Sequence, residues 1–303
     1  MLEIIYQISI LLLIIILGYT LKRLGLFSKE RDFATISTII LYITLPSAII
    51  TNLKGLRFPA VLLLISIVGF LANWVYILIS QKLGRNKEER SFMALNINGY
   101  NIGNFALPFI AFFLEGLPML AISLFDAGSS IMVLGGNYAV ARGMKKGDAK
   151  IDFVDILKTV IKAPTIVVYL LMVTLSLAKI NLPTMILEVA QIGAGANTFL
   201  AMFYIGIILE LKIDRNYLKK IFKYLSLRYS TAFLFVLGIQ SVPFVPTEIK
   251  HGITLLFLAP VSGSAPIFTG LIDSDVELSA QVNSLTIILS IILMSFYLVY
   301  IGI

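Results

Sequence analysis

The stretch Asn96-Ile97-Asn98-Gly99-Tyr100-Asn101-Ile102-Gly103-Asn104-Phe105-Ala106-Leu107-Pro108 sets four asparagines, two glycines and a proline inside an otherwise apolar run. An asparagine amide both donates and accepts hydrogen bonds. It can satisfy backbone groups freed from a helix, or it can hold a polar solute. Proline removes a backbone donor and clashes with the preceding turn, and glycine tolerates an unwound backbone. A second stretch, Ala259-Pro260-Val261-Ser262-Gly263-Ser264-Ala265-Pro266, brackets small hydroxylated residues with two prolines. Asp126 stands between Leu124-Phe125 and Ala127-Gly128-Ser129-Ser130. A carboxylate in such a setting is costly and marks a functional candidate. It could carry a proton or help bind sodium, or it could hydrogen-bond an interrupted backbone and hold it in place. The chemistry on offer is capture and release of a small polar solute, not bond-making. The chain has no cysteine and one histidine, which excludes thiol catalysis, iron–sulfur clusters and disulfides. It holds no HExxH pair, phosphate loop or serine–histidine arrangement. A transition-metal site would need several carboxylates that the apolar runs do not supply. No enzyme activity, metal or cofactor is expected.

These residues must be positioned by membrane-spanning helices. Of 303 residues, 58% are apolar and 14% charged, against about 25% charged in an average soluble domain. The mean hydropathy is +0.95. Crossing the hydrocarbon core takes about 20 mostly apolar residues. The sequence predicts ten spans, near 4–21, 33–52, 58–81, 91–114, 117–140, 156–178, 184–210, 226–246, 250–272 and 278–301. The runs are long and continuously apolar, unlike the short alternating strands of a barrel, so the fold class is an all-α integral membrane protein. The first run lacks a basic leader and a small-residue cleavage site, so it reads as a span. One set of alternate loops, with adjoining helix ends, carries 20 of the 24 basic residues, Arg228 among them. The other side carries Lys54, Arg57, Lys179 and Lys250. The basic side is then cytoplasmic and both termini face outward, in the plasma membrane. The basic loops read as topology and anionic-lipid contact, not as a nucleic-acid surface. The longest polar stretch, from Arg142 to Asp155, reads as a cytoplasmic linker between two five-helix halves.

The halves repeat at one offset. Leu53-Lys54 and Arg57 are matched by Leu211-Lys212 and Arg215, 158 residues later, and Pro108 is matched by Pro266 at the same offset. Five spans per half place equivalent segments on opposite faces, an inverted-topology repeat common among secondary transporters. The fourth and ninth spans, interrupted at equivalent positions, point to a midplane binding site, and the N-termini of the half-helices beyond the breaks would favour an anion. The alternative is a pair of kinks packed through small residues, with Gly99-xxx-Gly103 as a contact face. Asn283 and Ser284 fall in the tenth span at the offset from Asp126, so the coupling candidates are Asp126, Asn283 and Ser284. Glu188 reads as a rim residue, Glu210 as solvated, His251 as an interfacial cap and Trp74 as packing. Asn197, after Gly193-Ala194-Gly195-Ala196, is a candidate to line the other side of the cavity. Those glycines read as a helix contact, since no strand precedes them.

Several of these motifs together resemble the auxin efflux carrier family of prokaryotic type, within the superfamily of bile acid symporters. Leu45-Pro46-Ser47-Ala48 is similar to the Leu-Pro-Ala motif of its second helix. Asn101 to Pro108 resembles its first crossover, and Pro260-x-x-Gly263-x-x-Pro266 resembles the second. Ile205-Gly206 and Val282-Asn283-Ser284-Leu285-Thr286 resemble segments of its seventh and tenth helices. The resemblance covers nearly the whole chain. It implies ten helices in two inverted five-helix repeats, with helices 4 and 9 broken and crossing. A scaffold of residues 1–52 and 156–210 would carry a transport domain of residues 58–140 and 226–301, with 141–155 as linker. It implies elevator-type movement of a small organic anion, such as a mono- or dicarboxylate, and a homodimer formed through the scaffold. Asn101, Gly103, Asn104, Pro108, Ser262, Gly263, Ser264 and Pro266 would bind substrate, with Pro46 and Asn197 on the scaffold side. Two alternatives stay open: sodium- or proton-coupled transport through Asp126, and a non-transporting membrane sensor.

Overall fold

A computed structural model describes residues 2–27, 30–55, 60–146, 164–211 and 213–302. Lys29, Arg57, Lys150, Lys158, Lys162 and Lys212 lie outside the described residues, as do 147–155 of the expected linker and 156–163 of the sixth span. The described chain is all-helical, with no strand among the described residues. Six described helices are long and apolar enough to cross a membrane: Leu2–Arg23, Asp32–Leu53, Leu64–Leu83, Leu117–Lys146, Thr184–Ile208 and Val276–Ile301.

In chain order the helices are α1 (Leu2–Arg23), α2 (Glu30–Ile39), α3 (Leu45–Leu53), α4 (Leu64–Leu83), α5 (Lys87–Asn96), α6 (Leu107–Ile110) and α7 (Leu117–Ile131). They continue as α8 (Asn137–Lys146), α9 (Pro164–Ala178), α10 (Thr184–Ile208), α11 (Leu218–Gln240), α12 (Thr247–Phe257), α13 (Ala265–Leu271) and α14 (Val276–Ile301). Wide π turns at Ile40–Thr44, Ile102–Ala106 and Met132–Gly136 join α2 to α3, lead into α6, and join α7 to α8.

The fourth and ninth predicted spans are each split, into α5 and α6 and into α12 and α13, so no piece alone is long enough to cross. The helix at the expected eighth span, α11, runs from Leu218 to Gln240 and includes Lys219, Lys220, Lys223 and Arg228. Arg142 to Lys146, the first residues of the expected linker, lie in α8, which continues through Gly143 with Ala141 and Gly143 buried. Lys145 then donates to the carbonyls of Ile272 (2.6 Å) and Asp273 (2.9 Å) just beyond α13.

Helix ends are set by local chemistry. The Asn86 side chain accepts from the Glu89 amide at the start of α5, and Glu89 accepts in return from the Arg85 amide, a reciprocal cap of the kind that satisfies free N–H groups. Asp275 caps α14 by accepting from the Leu278 amide. Packing follows two groups. In one, α1 lies along α10, and α10 and α9 contact α3. The α1–α10 contact is close enough that a Cβ on Gly18 would sit 2.3 Å from the Phe203 carbonyl, and one on Gly206 would sit 2.1 Å from that of Ile15. In the other, α4 and α12 pack on α7, α5 on α8, and α13 on α14. One large apolar core runs through both groups.

Candidate functional site

The two interrupted helices meet. α5 ends at Asn96 and α12 at Phe257, and the unwound segments beyond them are tied by the backbone N–H of Asn101, which donates to the Pro260 carbonyl at 2.9 Å. Gly99 takes φ +74, and a Cβ there would stand 3.1 Å from that of Ser262. Positive φ at a close approach is a position for glycine.

The four asparagines divide by role. Asn96 donates to Thr269 Oγ1 (2.9 Å) and accepts from the Ser279 hydroxyl, which fastens α5 to α13 and α14. Asn98 donates to Asn137 Oδ1 (2.9 Å), Asn137 to Asn73 Oδ1 (3.3 Å), and Asn73 to Ser129 Oγ (3.1 Å). This relay binds the first crossover to α8, α4 and α7. Asn101 is only 5% exposed, yet its Nδ2 has no partner, and neither has the buried Oδ1 of Asn104. A buried polar atom without a partner costs free energy unless a ligand or water completes it.

Both of those atoms belong to residues lining a cavity of about 140 Å³ beside the crossing. One water needs roughly 10–15 Å³ on that measure, so a molecule of several heavy atoms fits. The first crossover contributes Tyr100, Asn101, Ile102, Gly103 and Asn104, and the second contributes Ser262, Gly263 and Ser264. α7 adds Asp126 and Ser130, and Leu41, Leu45 and Thr165 close the opposite side. Every one of the three π turns contributes to this wall, through Leu41, through Ile102 to Asn104, and through Val133 and Leu134. Such turns widen a helix locally and are frequent at functional sites. Asp126, 7% exposed, accepts from Ser130 Oγ (3.1 Å) and from the Tyr169 hydroxyl of α9 (2.9 Å). Ser262 and Ser264 share a hydrogen bond at 2.8 Å.

Other expected site residues stand apart from the lining. Pro108 and Pro266 each take the second position of a half-helix, α6 and α13, and the Pro108 carbonyl accepts from Thr198 of α10 at 3.4 Å. Asn283 donates to the carbonyls of Val261 (3.2 Å) and Ser262 (3.0 Å), so it braces the second crossover from behind. The Ser284 hydroxyl accepts from the Glu210 amide (2.9 Å) and ties α14 to the end of α10. Pro46 is buried in the first turn of α3. Asn197 accepts from Thr44 Oγ1 (2.9 Å), joining α10 to the first π turn. His251 pairs with the Tyr297 hydroxyl at 2.8 Å.

Sequence reasoning missed the lining residues Leu41, Val133, Leu134 and Thr165, and two residues behind the lining, Tyr169 and Arg228. Tyr169 looked like one aromatic among many in an apolar run. Arg228, grouped by charge pattern with the cytoplasmic loops, is fully buried at the crossing. Its guanidinium donates to the carbonyls of Ile97 (3.2 Å) and Ala259 (2.9 Å) and lies over the rings of Tyr76 and Tyr100 at 4.7 and 4.4 Å. The one hint in the chain is weak: Arg228 stands five residues past Lys223 and only Tyr229-Ser230-Thr231 separate it from the apolar run that begins at Ala232.

The half-helices beyond the breaks are short: the π turn and α6 together run from Ile102 to Ile110, and α13 has seven residues. The lining carries one carboxylate and no lysine or arginine. Among the described residues no cluster of three histidine or acidic side chains could hold a metal. No protein-family model matches the chain, and no curated protein matches it.

Proposed function

We propose that the chain is a secondary transporter of a small organic anion, such as a mono- or dicarboxylate, organised like an auxin efflux carrier. The observation that carries this reading is the pair of unpartnered amide atoms, Asn101 Nδ2 and Asn104 Oδ1, in residues that line a cavity where two interrupted helices meet. Irregular backbone at membrane depth is tolerated where it lines a cavity, and paired broken helices are a mark of transporter sites. The equal positions of Pro108 and Pro266 in α6 and α13, 158 residues apart, support the inverted repeat and its ten helices. The contact pattern supports two bodies: a scaffold of α1, α2–α3, α9 and α10, and an elevator-like transport body of the rest. Basic residues on one side support outward termini in the plasma membrane. Exposed apolar residues of α1 and α10, such as Leu13, Met185 and Ile192, offer a lipid-facing or dimer surface.

Asp126 favours one refinement. A carboxylate solute entering this cavity meets a second carboxylate and no lining cation. Co-binding of a proton or sodium removes that repulsion, which makes coupled transport the fitting form. The test is a thermal-shift series with acetate, malonate, succinate and malate, with and without sodium, followed by uptake of the stabilising compound into proteoliposomes. Saturable uptake that responds to a sodium or proton gradient is expected. Stabilisation without flux would favour a membrane sensor, and neither stabilisation nor flux would reject the reading.

A further inference from the structure

The crossing needs a counter-charge. α5 and α12 both finish there, and a helix C-terminus presents carbonyls without partners and a partial negative charge. Ile97 and Ala259, at or just beyond these ends, direct their carbonyls to the same buried guanidinium. Arginine suits this because its planar fork donates in two directions at once, whereas lysine is a point donor. A fully buried cation without a carboxylate partner is ordinarily very costly. Here its compensation is the pair of carbonyls and the faces of Tyr76 and Tyr100.

We propose that Arg228 is the positioning residue of the crossing: by bridging the Ile97 and Ala259 carbonyls it neutralises both helix ends and holds the two unwound segments in the register that sets Asn101 against Gly263. A Cβ on Gly263 would lie 3.5 Å from Asn101 Nδ2, so a small slip between the segments would change the cavity wall. Tyr100, the residue under the guanidinium, itself lines the cavity, which links the cation to the site without direct contact. Arg228 also fastens α11 to both broken helices, so the three shift as one piece. None of this depends on which solute is carried.

Hydrogen exchange in nanodiscs tests the proposal without any solute, so its failure is distinct from a failure of the transport reading. The segments 97–104 and 258–264 are compared between the native chain, Arg228→Gln and Arg228→Lys. Loss of a charge-assisted bridge should speed exchange of both segments by about tenfold or more in Arg228→Gln. Arg228→Lys, keeping the charge but reaching one carbonyl at a time, should fall between the two. Peptides of α1 and α10 should exchange as in the native chain. Native-like exchange in both variants would overturn the proposal, and so would acceleration spread evenly over all helices, since that marks ordinary core packing. If Arg228→Gln does not fold, Arg228→Lys decides alone: intermediate exchange confined to the two segments supports the proposal, and native-like or global exchange rejects it.

Discussion

Asn101 and Asn98 have the same side chain three positions apart, yet the fold gives them opposite tasks. Asn98 spends its amide on Asn137, whereas Asn101 keeps Nδ2 unpartnered beside the cavity. Removing them should therefore fail differently. Asn101→Ala should leave a folded protein, because no internal hydrogen bond of the side chain is lost, and should abolish stabilisation by any carboxylate that stabilises the native chain. Full uptake by that variant in proteoliposomes would reject its assignment. Asn98→Ala should instead strand Asn137 and cost about 1–3 kcal/mol of stability, read as a lower melting temperature. Asp126→Asn separates coupling from binding: uptake should persist but lose its response to the ion gradient, and intact ion dependence would exclude Asp126 as the coupling group. The sequence already marked Asn101, Asn104 and Asp126, because polar residues inside apolar runs stand out. It could not divide the four asparagines, since the partners of Asn96 and Asn98 come from α8, α13 and α14.

At the scale of elements, the broken helices were readable and their fastening was not. Proline and glycine act through local backbone geometry, so Pro108, Pro266 and Gly99 announce themselves in the chain. The π turns hold or precede such residues, Gly103, Gly135-Gly136 and Pro46, but neither residue type specifies a π turn, and Arg228 follows the basic turns of Lys219, Lys220 and Lys223 in the same helix, so its charge reads with theirs. Gly99→Ala would force a side chain into a left-handed conformation costing about 1–2 kcal/mol and push against Ser262, so it should loosen the crossing more than Gly55→Ala, which has open space. A second fastening lies at the polar ends of α5, α8 and α11, where Lys223 of α11 pairs with Glu89 at 2.7 Å and Lys145 of α8 with Glu88 at 3.1 Å. Burial pushes both carboxyls up, but the contacts outweigh it. Ser274 and Lys145 draw the Glu88 carboxyl below its ordinary value. Lys223 and the Arg85 amide do the same for Glu89. A lowered folded-state value means that this stabilisation is present above the unfolded value of about 4.3 and disappears as pH falls through the lower folded value. Melting temperature should accordingly drop as pH is taken from 5 toward 3, at conditions of roughly constant ionic strength. The double variant Glu88→Gln/Glu89→Gln should start lower and show a shallower drop. An identical slope in both proteins would show that these pairs do not contribute.

For the molecule as a whole, the question is what joins the two groups of helices. The Tyr169 hydroxyl of α9 donates to Asp126 of α7 at 2.9 Å, and Thr198 of α10 donates to the Pro108 carbonyl at 3.4 Å. The first is the stronger link by chemistry, since a hydrogen bond to a carboxylate exceeds one to a carbonyl. If the groups move as scaffold and transport body, every cycle must break it and leave Asp126 for another partner, which is the role a proton or sodium would fill. Tyr169→Phe keeps the ring and removes only the donor. It should shift the population away from the arrangement described here by roughly tenfold and change the turnover of uptake more than its half-saturation concentration. The cysteine-free chain allows spin labels at exposed Leu170 on α9 and Leu271 on α13 without background. Distances between them should move to a second population in Tyr169→Phe, and in the native chain when a stabilising carboxylate and its coupling ion are added together. A single unchanged distance under all of these conditions would mean that the two groups form one rigid body, and the elevator description would have to be abandoned even if binding at the crossing were real.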